Sequence, residues 1–306
     1  MISLFFIVHC IINSKKIKLF ILKITIFTLI IFLSLSASCQ KKDTSDLSLV
    51  TSLPHSLGEI SGITSIPMSK NLYAINDSGN ENVLLSFNQK GKVIQTFKIP
   101  NSDNKDWEDI TYDDQNNIYI GDFGNNDNKR KDLTIYKISG LSDNHLKASK
   151  IEFSLEDQKK FPPSKKNKNF DIEAFIYKEG YFYLFTKNRS SKFNGKTKLY
   201  KVPNKPGKQL AKLITSYKVC NDPNDCFITG AAINNEGTTI ALLTYNKVLI
   251  LSEFIGDNLF NGKVDTRKLH HSSQKESICF KNNNTLFIAE ERTKKSKGNL
   301  YQYRLD

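Results

Sequence analysis

"DWEDITYDDQNNIYIGDFGNN", Asp106–Asn126, places the only tryptophan of the chain in a run dense with carboxylates. It reads as a polar start, an apolar strand, a turn rich in Asp and Asn, and a second, more apolar strand. The same pattern recurs at "EISGITSIPMSKNLYAIND" (59–77), "FDIEAFIYKEGYFYLFTK" (170–187), "CFITGAAINNEGTTIALLTY" (226–245) and "QKESICFKNNNTLFIAEE" (274–291). A third strand follows every unit: NVLLSF, DLTIYKI, TKLYKV, KVLILSE and NLYQYRL. Four units supply a fourth strand: KVIQTFKI, ASKIEFSL, KLITSYKV and KVDTRKL.

A four-stranded unit repeated every 47–65 residues or so is the signature of a propeller blade. The fold expected is therefore all-β, a β-propeller of five four-stranded blades. The last unit lacks its fourth strand, and "LSLVTSLP" (47–54) can fill that place, closing the ring and covering an edge. Six blades is the alternative, if residues 140–170 hide a divergent one.

In a propeller the innermost strands begin near the axis. Ser61, Glu108, Glu173, Thr229 and Glu276 each stand two places before an apolar residue there, so they are expected to converge. Like charges gathered in a buried place must be neutralised or paired. A hard cation held by oxygens is the natural neutraliser, and Ca²⁺ suits such a set better than Mg²⁺. The alternative is that these carboxylates cap backbone N–H groups at the channel mouth. Trp107 is expected to pack between the first two blades, with a sugar-stacking platform as the sharper reading.

The order Ser, Glu, Glu, Thr, Glu across five blade starts resembles the calcium-activated nucleotidases, five-bladed soluble apyrases with a central calcium at this level. "NDSGN", "DWEDI", "YIGDFGNN", "IEAF" and "ITGAAI" resemble a group of exported bacterial propellers linked with phytase-like and esterase-like propellers, over most of 57–295. By resemblance to the nucleotidases, Asp77 would be a general base, although "NDSG" lacks the arginine those enzymes carry beside their acid. "FTKNRS" keeps basic residues where they place theirs.

Second strands return to the same face as the blade starts. Asp77, Asp122, Lys187, Arg189 and Glu290 are therefore the catalytic candidates around the ion, with the cations suited to phosphoryl oxygens. The ordinary alternative is turn chemistry, since Asp-Ser-Gly is a good turn. The chemistry expected is metal-assisted hydrolysis of phosphate or related esters. The competing class is a binding propeller with structural calcium, recognising a surface ligand or protein. No G-x-S-x-G elbow is present, and five scattered histidines make no serine triad.

Residues 1–38 contain no Asp, Glu or Arg and join a basic patch to a long apolar run ending in small residues. That is an export signal, and Cys39 after Ser-Ala-Ser resembles the lipidated cysteine of bacterial lipoproteins. An uncleaved membrane anchor is the alternative. The organisation expected is a signal peptide over 1–38, a linker over 39–46 and the propeller over 47–306. The product would be a monomer held by a lipid on the bacterial cell envelope, at the outer membrane or cell surface. Loss of the leader removes four of the 44 basic residues, leaving 40 against 31 acidic ones and a net charge of +9. The excess is scattered lysine in polar loops, which does not make a nucleic-acid groove. Cys220 and Cys226 flank a turn-rich loop and are expected to pair.

Overall fold

The computed structural model describes residues 47–67, 69–141 and 145–305. The expected leader, Cys39 and the linker to residue 46 lie outside the described residues.

Among the described residues, twenty strands form five antiparallel meanders. The first comprises β2–β5 (Ile60–Thr64, Leu72–Asn76, Val83–Phe87, Val93–Lys98). The second is β6–β9 (Trp107–Tyr112, Ile118–Asp122, Leu133–Ser139, Lys147–Leu155). The third is β10–β13 (Asp171–Lys178, Tyr181–Lys187, Lys196–Pro203, Gly207–Lys218). The fourth is β14–β17 (Gly230–Ile233, Thr239–Leu243, Lys247–Ser252, Lys263–Lys268). The fifth is β18–β20 (Lys275–Asn282, Thr285–Glu290, Asn299–Arg304), and β1 (Leu47–Ser52) pairs antiparallel with β20 to complete it.

This is the β-propeller type of architecture. The inner strands β2, β6, β10, β14 and β18 each touch the next in order, and β18 returns to β2. Five apolar clusters lie between neighbouring meanders. One joins Ile75 and Phe97 to Trp107 and Ile110, and another joins Leu57 and Ile63 to Cys279 and Leu300 across the closure. The inner strands thus bury side chains against a neighbouring sheet on both sides, while the outer strands β1, β5 and β17 stay largely exposed.

Two details differ from a simple array of separate four-stranded sheets. The second and third meanders merge into one eight-stranded sheet, because β9 and β13 are long enough to pair in parallel at their outer ends, Ile151 opposite Gly207 through Leu155 opposite Ala211. Residues 145–170 contribute β9 and a single 3₁₀ turn at Lys165–Asn167, so among the described residues this stretch holds no further sheet. Cys220 and Cys226 form a disulfide, Cα atoms 5.3 Å apart, around a one-turn helix at Pro223–Cys226.

The axis is closed below the inner-strand starts. Residues one place after the repeated polar position are Gly62, Asp109, Ala174, Gly230 and Ser277. Four are small, because the strands crowd here; a Cβ on Gly62 would lie 2.9 Å from the Ile110 nitrogen. Asp109 fills the remaining space. Fully buried, its carboxylate accepts the N–H of Ile110 (2.8 Å), of Phe175 on β10 (2.9 Å) and of Ala231 on β14 (3.4 Å), linking three inner strands. Burial pushes its pKa well up despite those bonds.

Candidate functional site

The repeated polar residues owe their position to bulges. The inner-strand register slips between Ile60 and Gly62, Trp107 and Asp109, Ile172 and Ala174, and Lys275 and Ser277. Each slip leaves one residue out of the ladder: Ser61, Glu108, Glu173 and Glu276. A bulge re-aims its side chain and bends the strand, and it recurs here at four equivalent blade starts. In the fourth meander, Thr229 lies just ahead of β14.

The five residues have different partners. Glu173 is neutralised: Lys187 Nζ lies 2.9 Å from its Oε2 and Arg189 Nη2 2.9 Å from its Oε1. Burial opposes its ionisation, but Lys187 and Arg189 hold its carboxyl below the usual range. The Thr229 hydroxyl donates to the Lys275 carbonyl at 2.6 Å and is used up in the scaffold. Ser61 Oγ is buried without a hydrogen-bond partner. Burial carries Glu276 to about 8 although Lys187 pulls it down.

Glu108 belongs to a different set. Asp77, Asp106 and Glu108 each present a carboxylate oxygen, and the three lie within 4.8 Å of one another. Burial raises all three. The Glu108 carboxyl is pushed well up by burial, Glu173, Asp77 and Asp106, and the Asp106 carboxyl reaches about 6 through burial and Asp77. The loops that bring them together are tied by Asn104, whose amide donates to the Asn76 carbonyl (3.0 Å) and the Asp77 carbonyl (2.9 Å) while its oxygen accepts the Trp107 N–H (3.1 Å).

"GDFGNN" (121–126) supplies the wall. A Cβ on Gly124 would come within 2.1 Å of Glu108 Oε1 and 2.6 Å of Asp106 Oδ2, so only glycine lets the backbone approach the carboxylates. A Cβ on Gly121 would strike the Phe123 ring. The fully buried Asp122 accepts the Asp106 N–H at 3.1 Å and pairs with Arg130 at 2.9 Å, and Arg130 also donates to the Gly124 carbonyl at 3.0 Å. Asn125 donates its N–H to Asp171 at 2.7 Å, and Asp171 in turn binds Arg189.

Of the catalytic candidates, Asp77 stands in the carboxylate trio. Asp122, Lys187 and Arg189 surround it, but each is already in an ion pair with a neighbour. The cations expected to await a phosphoryl group are therefore committed to Asp and Glu. Glu290 is elsewhere: its Oε1 accepts from Asn299 (2.6 Å), Tyr301 (3.0 Å) and the Ser296 hydroxyl, outside the trio. Glu291 instead feels the central carboxylates, raised to about 7 by burial and by Asp77 and Glu59, while its Oε2 accepts the Gln274 amide at 3.1 Å. Trp107 is fully buried, donates Nε1–H to the Asp103 carbonyl at 3.0 Å and packs at 6.2 Å from Tyr136, which rules out a sugar platform.

Sequence reasoning missed Asp106, Asp171 and Asp109. Asp106 carried a visible signal, since it lies two places before Glu108. Asp109 carried none, because its counterparts in the other units are Gly, Ala or Ser.

The geometry can be set beside known proteins. No curated protein matches the chain. A PQQ-bound aldose sugar dehydrogenase from Streptomyces coelicolor superposes with TM-score 0.50 at 8% identity, covering 84% of this chain and 97% of that one. A gluconolactonase from Xanthomonas campestris gives TM-score 0.47 at 9% identity over 85% and 89% of the two chains. A virginiamycin B lyase from Staphylococcus aureus gives 0.38 at 15% over 82% and 68%. At these identities the likeness concerns the fold. The sequence model of the family described as SdiA-regulated matches residues 43–209, more than half of the chain, so this protein belongs to the SdiA-regulated family, a β-propeller family.

Proposed function

We propose that this chain is a five-bladed propeller whose axial carboxylates hold a divalent cation, Ca²⁺, and that it hydrolyses an ester outside the cytoplasm. One observation carries the reading. Asp77, Asp106 and Glu108 aim three oxygens at a space under 5 Å across, and no cationic side chain is hydrogen-bonded to any of them among the described residues. Arg130, whose charge eases Asp106, is held by Asp122 and Asp132, and Lys187 and Arg189 are occupied by Glu173 and Asp171. A hard cation with oxygen ligands relieves that repulsion.

The residues present suit the group. Asp77, Asp106 and Glu108 would hold it, with the Gly124 backbone as a close wall. A bound calcium supplies electrostatic polarisation of an ester oxygen or of water. The chain's own residues do the rest. Glu291 and Glu276, raised to about 7 and about 8, are placed to accept or return a proton near neutrality. Lys187, held by Glu173, fixes one wall of the mouth.

The committed state of Lys187 and Arg189 favours a second reading, in which the ion is structural and the mouth binds a surface ligand without turnover. A phosphate ester would have to displace Glu173 or Asp171 from its cation, so carboxylic esters suit the site better than phosphate esters. Under both readings the protein is exported, anchored by a lipid on Cys39, and monomeric.

Calcium should raise the melting temperature of the chelated protein, and Asp106→Asn with Glu108→Gln should abolish the rise. Calcium-dependent turnover of aryl, lactone or phosphate esters that the same variants remove identifies the hydrolase. A calcium-dependent melting shift without turnover on any of them identifies the binding protein. No shift in the wild type defeats both.

A further inference from the structure

A second recess opens on the same face, over the fifth meander and away from the carboxylate trio. It encloses about 780 Å³ between residues 271–274, which lead into β18, and residues 293–299, which lead into β20. That volume falls in the range of small-molecule sites. Its floor is Glu290, 1% exposed. One carboxylate oxygen carries the bonds from Asn299, Tyr301 and Ser296. Burial opposes ionisation, yet the Ser273 hydroxyl also helps hold the carboxyl below its usual range, but the other oxygen, Oε2, is buried with no well-formed hydrogen bond. A buried acceptor without a donor is costly and calls for one from a ligand.

The surroundings restrict what that donor is. Lys275, fully buried and directly opposite Glu290 in the β18–β19 register, fixes its ammonium on the carbonyls of Tyr245 (3.0 Å) and His271 (2.7 Å) and on Ser273 Oγ (2.9 Å). A second cation beside it would be repelled, so the donor that suits Glu290 Oε2 is a neutral hydroxyl. The rim carries the exposed Lys294, Lys295 and Lys297, none of which forms an ion pair with a described residue. Three unpaired ammonium groups around a polar recess select for an anion. The wall between floor and rim is the Tyr301 ring, 5.5 Å from the His271 ring, flanked by Ser273 and Asn299.

We infer that this recess binds a small polyhydroxylated anion, a sugar phosphate or sugar acid, with a hydroxyl donated to Glu290 Oε2 and the anionic group at the lysine rim. This site meets the central one only at its edge, through the Gln274 amide on Glu291 at 3.1 Å, and needs no metal.

Titration calorimetry of the full chain in excess chelator, with glucose 6-phosphate and glucuronate as probes, tests it. At least one probe should bind about tenfold or more tighter than both glucose and inorganic phosphate, since only it meets floor and rim together. The exposed triple variant Lys294→Ala, Lys295→Ala, Lys297→Ala should weaken binding about tenfold or more and flatten its salt dependence. Glu290→Gln should weaken glucose binding as well as probe binding. The inference is overturned if neither probe binds, if inorganic phosphate binds as tightly as the probes, or if the lysine variant binds unchanged. It is also overturned if Asp106→Asn removes the binding, because the ligand would then belong to the axial site. Should Glu290→Gln fail to fold, the lysine variant decides alone.

Discussion

Glu108 and Gly124 act as a pair. The bulge puts the Glu108 carboxylate on the axis, and the missing Cβ of Gly124 leaves it room. The conformation of Gly124 is open to alanine, so only space is at stake there, and the atoms a Cβ would meet are the movable ends of Glu108 and Asp106. Gly124→Ala should therefore push both carboxylates aside. Its folding cost should stay within about 1–3 kcal/mol, the usual range for overpacking, while calcium affinity falls about tenfold or more. Denaturant melts in chelator and a calcium titration separate the two effects. Equal calcium affinity in variant and wild type would show that these oxygens are not the ligands. Glu290 and Glu291 make the complementary point. They adjoin at the end of β19, and strand geometry sends them opposite ways, so one residue of register decides which glutamate faces the central carboxylates.

The strand that contributes least to the core has a large effect on the ring. β1 is mostly exposed, yet it covers the outer edge of β20, and the backbone of Leu53 continues the closure by donating to the Gly298 carbonyl at 2.8 Å. Arg292 adds a bond to the Leu53 carbonyl at 3.0 Å. A chain beginning after Ser52 should melt roughly 5–10 °C lower, since each kcal/mol moves a domain of this size by about 2–4 °C. It should also self-associate through the bared β20 edge. Light scattering and a thermal melt check both. A truncated chain that stayed monomeric with the same melting temperature would show that β1 is dispensable. The merged sheet of the second and third meanders belongs to this scale too: β9 and β13 outgrow their meanders, and their unpaired outer edges satisfy one another.

Across the whole molecule the axial carboxylates set the response to pH. In the metal-free protein burial raises Asp106 to about 6, Glu291 to about 7 and Glu276 to about 8, above their values in an unfolded chain. Between roughly pH 4 and pH 8 the folded state then holds protons that the unfolded state has released, so stability falls as pH rises through this window. Calcium needs the ionised carboxylates, so its affinity should rise over the same interval. Melting temperatures in chelator should decline from about pH 5 to pH 8, and excess calcium should flatten or reverse the slope. A chelated protein that grew more stable with rising pH would contradict the cluster.

The sequence alone determined the repeated strand pattern, the all-β class, the closing role of residues 47–54 and the Cys220–Cys226 pair. These are legible because a period of two and a repeating unit are written along the chain itself. Tertiary structure decided which carboxylates meet. Asp77 and Asp106 joined Glu108, Lys187 and Arg189 went to Glu173, Glu290 left for a second recess, and Asp109 filled the axis where its counterparts are small. The physical reason is that a bulge, a one-residue register or a missing Cβ moves a side chain by several ångströms without changing the periodicity a sequence displays. Burial then amplifies that placement into charge pairing, because a buried carboxylate must find a cation, a proton or a hydrogen bond.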